Sequence, residues 1–357
     1  MIKEYKSFTE ETLDDALTVI RDRFSPAAVE IARKVLRNPL RKLCPDAGTV
    51  GYRDGRPVCF QATMLRRLYY GKKEIFGQVG GLTCKVKKGC PLSVMLETIE
   101  RAEKPRLDVT ISFGNSCCAS TANMDKCKGG VVGPESCSHS LWCPIRPLNC
   151  LWYVLRRKAL KLDVPRWAPY DTRVTSRYEQ TIEGLSIRRE SVVSSSFFDT
   201  MMSQLLDQNE GLVCSRSAEE VDWMFGSRIM SGQAVLLCAY RAAVPAGYII
   251  VGSDETARRW RILDWIAVRN DEGVLEALLK VAKRFLRQHT PGFMLEVRGF
   301  PAFAQTLLRR HLPFVQQRGV NFFTWSFLPE RGSEVFRGSV YSTRSWFFGP
   351  YDGDLVM

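Results

Sequence analysis

Histidine is almost absent from this sequence: there are three, at His139, His289 and His311. A histidine-based metal centre therefore has little to draw on. No Cys-x-x-Cys pair occurs, so the usual zinc-knuckle spacing is missing too. No uninterrupted apolar run approaches the roughly 20 residues of a membrane span. The opening residues, MIKEYKSFTEETLDD, lack the apolar h-region of a secretory signal. These absences predict a cytoplasmic protein without a membrane span, with its thiols mostly reduced. Acidic residues are also in deficit, 38 against 51 basic ones, for a formal net charge of +13.

What is present is enough for a sizeable core: 45% hydrophobic and 11% aromatic residues in a chain of 357. That length suggests two domains or one large one. The charge is lopsided. Residues 1–175 hold 30 basic and 18 acidic side chains, a net of +12, whereas the rest hold 21 and 20. A basic surface suits phosphate-bearing partners: a phosphorylated cofactor, a nucleic acid or an anionic membrane face. The cysteines are lopsided as well, with ten of twelve between 44 and 150.

The spacing of Leu13, Ala16, Leu17 and Ile20 predicts helix over 8–36, restarting near Ser25-Pro26. Residues 50–52 and 57–68 alternate like strands around the turn Asp54-Gly55. A second hairpin turn falls at Lys72-Lys73, then a strand over 75–86 broken by Gly80-Gly81, a helix over 92–102 and a strand over 107–113. The segment 114–150 is irregular and ends in a strand near 142–148 that closes the first half. Residues 155–169 are basic, hold two prolines and fit a linker. The second half has helix at 217–230, strands at 234–240, 246–251 and 261–268, and a strongly amphipathic helix over 272–288. A strand at 293–297, a helix at 301–310 and a strand at 321–328 complete it. The match between halves lies in element order rather than in residues.

Particular stretches carry that order. Gly247-Tyr248-Ile249-Ile250 is followed by Leu263–Val268 and the long helix, and Phe303–Phe314 then reads as a helix and its exit into a strand. Gly77–Met95 runs from strand into helix in the first half, and the chain closes on Ser345–Asp354. This pattern resembles the GCN5-related N-acetyltransferase (GNAT) fold in tandem. The closing stretch resembles the ending of some uncharacterised bacterial tandem proteins of this type. The fold class implied is α/β (α+β): two tandem GNAT-like domains, each a mixed, mostly antiparallel sheet flanked by helices. The expected boundaries are 1–150 and 176–357, with a linker at 151–175. The resemblance implies an acyl-CoA-dependent N-acyltransferase, using acetyl-CoA or another acyl-CoA as cosubstrate. The acceptor would be a small-molecule or peptide amine.

In that family a loop of pattern Arg/Gln-x-x-Gly-x-Gly/Ala joins strand 4 to helix 3. Backbone N–H groups and a helix N-terminus there suit a pyrophosphate. The matching stretch in the first half is Val86, Lys87, Lys88, Gly89, Cys90 and Pro91. Its central Gly is kept, Val86 replaces the leading residue, and Pro91 removes one donor. Lys87 and Lys88 supply charge instead. The same stretch also fits a basic surface turn. In the second half, Arg269–Val274 places Asp271 and Glu272 at the loop, where they read as first-turn caps. The first half is therefore the expected CoA half.

Acyl transfer to an amine needs a base for the amine and an acid for the leaving thiolate. The late-helix Tyr that many family members use as acid corresponds to Leu308, which cannot donate a proton. In the first half the equivalent region offers Asn115, Ser116, Ser120 and Asn123. Asp264, on the implied strand 4 of the second half, is the candidate base; equally, it pairs with one of the arginines at 258–261. Trp346, Asp352 and Asp354 near the C-terminus are candidates for binding a cationic amine, or form a solvated end. Six cysteines between 117 and 150, with His139, lack zinc spacing and fit free, buried thiols, so no metal is expected. The basic run Arg156-Arg157-Lys158, Lys161 and Arg166 is interleaved with Trp152, Tyr153 and Trp167. It fits a linker, or a nucleic-acid surface such as tRNA would use. Two other functions stay open: an aminoacyl-tRNA-dependent transferase, and a non-catalytic binding protein that kept the fold.

Overall fold

The computed structural model describes residues 2–22, 26–104, 109–115, 131–132, 139–156, 160, 178–208, 212–253, 259–298, 304–317 and 321–327. The first half runs β1 (Lys3–Ser7), α1 (Leu13–Arg21), α2 (Pro26–Leu36), β2 (Gly48–Arg53), β3 (Arg56–Tyr70), β4 (Lys73–Lys85), α3 (Leu92–Glu103), β5 (Val109–Asn115) and β6 (Val131–Val132). Next come β7 (His139–Pro144), α4 (Pro147–Val154), β8 (Glu179–Ile182), β9 (Leu185–Glu190), α5 (Ser195–Gln208) and β10 (Leu212–Cys214). The rest is α6 (Ala218–Val221), α7 (Ser227–Met230), β11 (Ala234–Arg241), β12 (Val244–Ser253), β13 (Arg259–Ala267), α8 (Glu272–His289), β14 (Met294–Arg298), α9 (Gln305–His311), β15 (Phe314–Gln317) and β16 (Asn321–Phe327).

The helix expected over 8–36 is two helices, preceded by a strand that the periodicity did not show. β1 is polar at nearly every position, which suits a solvent-facing edge paired with β2 alone. The hairpin at Asp54-Gly55 has positive φ at both residues, 49° and 76°, the geometry that matches the twist of paired strands. The β11–β12 hairpin makes the same turn with Ala242 and Ala243, at 49° and 67°. An L-residue with a Cβ pays about 1 kcal/mol or more there. Ala242→Asn with Ala243→Gly is therefore expected to stabilise the chain by about 1 kcal/mol in urea unfolding, with an unchanged m-value.

The two sheets share one strand order. The first reads β1-β2-β3-β4-β5-β16-β6, and the second reads β9-β11-β12-β13-β14-β7-β15, with β8 added outside β9. In each, the first four strands are antiparallel and the fourth and fifth parallel. The strand in sixth place comes from the other half of the chain. The strand expected to close the first half is β7, at His139–Pro144; it pairs with β14 and β15 of the second sheet. β16 in return pairs with β5 and β6 of the first. Pro147, expected in that closing strand, instead opens α4, where its missing N–H is harmless. β10 adds a further tie by pairing with the far end of β3.

The exchange is matched by a shared core. One apolar cluster takes Phe8, Leu17, Phe60 and Met64 from the first half together with Phe198, Phe225, Tyr248 and Leu263 from the second. A second cluster packs α8 on the other face of the second sheet. Polar contacts join the halves too. Trp223 Nε1 donates to the Lys34 carbonyl at 2.9 Å, and Lys34 Nζ donates to the Met224 carbonyl. Burial, with Arg228 and Arg66 nearby, brings the Lys34 pKa from 10.5 down to about 7. Between about pH 7 and 10 the unfolded chain then binds more protons than the folded one. Stability is expected to rise with pH across that window and to fall off toward neutrality. Lys34→Met should flatten the rise; urea unfolding at neutral pH and near pH 9 reads it directly.

Candidate functional site

The parallel contact between β4 and β5 is brief. Pairing runs from Gly77 to Gly80 on β4 against Val109 to Ser112 on β5. β4 then continues to Lys85 and β5 to Asn115 without pairing to each other. At the same point β4 carries one extra residue. Gly81 pairs with Ala62 and Thr83 with Gln61, so Leu82 is the bulged residue, at φ 45°. A bulge bends its strand and re-aims the residues beyond it. β4 therefore leans away from β5 and leaves one backbone edge over 81–85 with no described strand against it.

The second sheet repeats the device. β13 pairs with β14 only over Arg259–Ile262. Ile250 opposes Asp264 and Val251 opposes Ile262, which makes Leu263 the extra residue. In both halves a helix closes one face at a glycine. A Cβ on Gly51 of β2 would lie 2.3 Å from Thr98 Oγ1 of α3, and one on Gly247 of β12 would lie 2.8 Å from Val274 Cγ1 of α8.

The strands differ in burial beyond their bulges. From Leu263 to Ala267 every residue is buried, none more than 3% exposed. Over Gly81–Lys85, Thr83 is exposed and Leu82 and Lys85 are half-buried. The helix N-termini beyond the two strands differ in the same sense. Asp271 caps α8, with Oδ1 accepting the Val274 N–H at 3.1 Å and Oδ2 accepting from Arg241 at 3.0 Å. The arginine and the backbone N–H groups hold its carboxyl below the usual carboxylate range against burial. A fixed negative charge thus takes the donors an anion would need. α3 follows Pro91 as its N-cap residue, with no side-chain cap and no acidic residue in its first turn.

The predicted loop residues lie on that open side. Lys87, Lys88 and Gly89 are exposed, and Val86 and Cys90 half-buried. Gly89 takes φ 92°, and nothing lies within 4 Å of where its Cβ would be. Arg53 steadies the turn by donating to the Gly89 carbonyl at 3.0 Å. The Lys87 N–H already has an acceptor, Asp22 Oδ2 at 2.5 Å, a partner 65 residues away that no local pattern marks. Cys90 is hydrogen-bonded to the buried Cys59 thiol; that contact and Lys85 draw its pKa below the usual thiol range, while the contact and burial push Cys59 up.

Asp264 lies just past the second bulge and is fully buried. Its carboxylate accepts from Arg216 Nε at 3.1 Å and Nη2 at 3.3 Å, and from the Tyr248 hydroxyl at 2.5 Å. The arginine is not one of those expected at 258–261; Arg261 pairs with Glu296 at 2.7 Å. Arg216 is itself 1% exposed and donates also to the Cys214 carbonyl at 2.9 Å. Leu308 is fully buried in the cluster under α8. The eight described cysteines are free thiols, and no three His, Cys, Asp or Glu among the described residues are grouped to hold a metal. Trp346, Asp352, Asp354, Ser116, Ser120, Asn123 and most of the basic run after Arg156 lie outside the described residues.

One short stretch of chain links the strands that border the two splits. Asn115, at the open end of β5, pairs with Asn321, the first residue of β16. Arg298, at the open end of β14, pairs with Ser140, and Gln317 of β15 pairs with His139. Only residues 318–320 lie between Gln317 and Asn321, so the two are at most about 14 Å apart.

No family model matches this chain, and no curated protein matches it. Solved structures do. A GCN5-related N-acetyltransferase from Kribbella flavida aligns over 90% of this chain and 70% of its own, with a TM-score of 0.55 at 10% identity. N-myristoyltransferase of Saccharomyces cerevisiae, solved with bound myristoyl-CoA, aligns over 90% of this chain and 78% of its own, with a TM-score of 0.56 at 12% identity. A probable N-acyltransferase from Enterococcus faecalis aligns over 90% and 72%, with a TM-score of 0.54 at 11% identity. At such identities the likeness is one of fold: the mixed α/β architecture, with two helix-flanked sheets, is that of the GCN5-related N-acetyltransferases. Among the described residues no helix is long and apolar enough to cross a membrane.

Proposed function

We propose that the chain is an acyl-CoA-dependent N-acyltransferase that takes its cosubstrate in the first half, with the second half as its scaffold. The observation that carries this is the contrast between the splits. Beyond its bulge β4 has exposed and half-buried residues, Thr83, Leu82 and Lys85, beside an uncapped helix N-terminus, whereas every residue of β13 beyond its bulge is buried beside an Asp-capped one.

The roles follow from position. Backbone groups of Gly81–Lys85 suit the amides of a pantetheine arm laid along the strand. Val86, Lys87, Lys88, Gly89 and Cys90, with the first turn of α3, suit the pyrophosphate: the two lysines add charge, and the turn brings its amides close apart from the Lys87 N–H, which Asp22 holds. Acceptor amines would enter where both splits open. Trp346, Asp352 and Asp354, outside the described residues, are the candidates for binding a cationic amine. The amine nitrogen attacks the thioester carbonyl, the C–N bond forms, the C–S bond breaks, and the amine proton ends on solvent or on the released thiolate. Asp264 takes no part in that transfer. A base must reach the proton it removes, and this carboxylate is enclosed by Arg216 and Tyr248.

Mass spectrometry tests the reading. The chain incubated with acetyl-CoA and a mixture of polyamines, aminoglycosides and N-terminal peptides is expected to yield a product heavier by one acetyl group. Myristoyl-CoA in place of acetyl-CoA sorts the acyl length. No acylated product with either donor would overturn it.

A further inference from the structure

Cys59 of β3 and Cys90, the residue before Pro91, meet on the face of the first sheet that α3 covers. Cys59 stands opposite Gly51 of β2. A Cβ on Gly51 would lie 3.6 Å from the Cys59 Cβ and 2.3 Å from Thr98 Oγ1 of α3, so the Cys59 side chain is on the helix side. On its other flank Cys59 stands opposite Lys85 of β4, and the Val86 N–H donates to the Val58 carbonyl at 3.0 Å. The chain thus leaves β4 beside Cys59. The turn through Gly89 then returns Cys90 to the head of α3. There its Sγ lies 3.6 Å from the Pro91 carbonyl, and its thiol is hydrogen-bonded to that of Cys59.

The two thiols differ in access. Cys59 is 0% exposed, whereas Cys90 is the one described cysteine that is not buried. The hydrogen bond from Cys59 and the charge of Lys85 bring the Cys90 pKa down to about 7 against burial. About half of it is then thiolate at neutral pH, the form that peroxides attack. Cys84, the next thiol along β4, does not compete for it. It pairs with Phe60 and packs with that ring in the core on the other face of the sheet.

We propose that Cys90 is an oxidation site for hydrogen peroxide and that Cys59 resolves it, giving a reversible disulfide that ties the turn before α3 to β3. The Cys90 sulfur attacks the peroxide: the S–O bond forms, the O–O bond breaks, and hydroxide leaves. The Cys59 sulfur then attacks the Cys90 sulfenic acid: the S–S bond forms, the S–O bond breaks, and the oxygen departs as water with the Cys59 proton. The two electrons that reduce the peroxide come from the two sulfurs. The first step also consumes the thiolate whose contact, with burial, holds the proton on Cys59. Because the thiols already touch, the second step outruns further oxidation of Cys90. One consequence rests on the proposed reading of this turn as the pyrophosphate site. A bound pyrophosphate would cover Cys90 and disfavour a thiolate beside it, so acetyl-CoA should slow the oxidation. The disulfide itself does not depend on that reading.

Peptide mapping of the full chain, reduced, treated with hydrogen peroxide and digested without reductant, tests this. Cys90 should react roughly tenfold faster than the buried thiols. The product should be a peptide pair joining Cys59 to Cys90, lighter than its two parts by two hydrogens and separated again by dithiothreitol. Cys59→Ala should give no such pair and a Cys90 sulfenic acid that dimedone traps. Saturating acetyl-CoA should slow the cross-link severalfold. The unsubstituted chain alone can overturn the inference, whatever the variant's folding. A Cys90 left intact while other thiols of the chain oxidise would do so, as would Cys90 joined to a different cysteine. Cys90 carried to sulfinic acid with Cys59 still a free thiol would do the same. A cross-link that forms equally fast with acetyl-CoA present would leave the pair standing and count against the pyrophosphate assignment.

Discussion

Asp264→Ala is expected to lower the unfolding free energy by about 3–5 kcal/mol, the cost of leaving a buried cation without its counter-charge. Both partners are buried, at 1% and 0% side-chain exposure, so water cannot take over from the lost carboxylate. Arg216 holds that carboxylate through two nitrogens, and Tyr248 adds a short hydroxyl bond. The pair also bridges the chain. Arg216 sits just beyond β10, the strand that the second half lends to the first sheet, while Asp264 belongs to β13. Its loss should therefore loosen both halves, seen in urea unfolding as a lower midpoint. Asp264→Asn keeps the shape and one acceptor oxygen, and should cost less. Acetyl-CoA affinity, measured where the variant is still folded, should not move. A variant of unaltered stability that had lost transfer activity would make Asp264 a base and not a brace.

Reversing the loop charge should have the largest effect on binding. With Lys87→Glu and Lys88→Glu, acetyl-CoA is expected to bind roughly thirtyfold more weakly, or about 2 kcal/mol. Each exposed charge near a pyrophosphate is worth about 1 kcal/mol in water, and screening trims the sum. Both lysines are exposed, so folding stability should be unchanged. The matched change in the second half separates the two sites. Asp271→Ala removes the cap of α8 and should cost about 1 kcal/mol of stability, with no change in CoA affinity.

Local order was legible where local chemistry decides it. Asp54-Gly55 announces its hairpin, the apolar stripe of α8 announces its helix, and the run from Gly77 to Met95 announces a strand entering a helix. What could not be read is what depends on partners far along the chain. The sequence suggests a strand near 142–148, overlapping β7 at His139–Pro144, but does not say which sheet it joins, and the exchange of β7 and β16 lies in that choice. The bulges obey the same rule: Gly80-Gly81 hints at the first, while nothing in Ile262-Leu263-Asp264 hints at the second. From sequence Asp264 is a candidate base on the implied strand 4, or the partner of an arginine at 258–261. Its partner is 48 residues upstream, at the exit of a three-residue strand, where no periodicity points. The contrast between the two loops, Lys87-Lys88 against Asp271-Glu272, was readable because charge is written in the sequence. That β4 is partly exposed beyond its bulge and β13 wholly buried required the fold.

Titration calorimetry with acetyl-CoA tests the central claim most directly, using the full chain, the Lys87→Glu/Lys88→Glu variant and Asp271→Ala side by side. One site per chain is expected, weakened roughly thirtyfold by the first variant and unmoved by the second. No heat of binding at millimolar ligand, or a site weakened by Asp271→Ala and indifferent to the lysines, would contradict a cosubstrate cleft between β4 and β5.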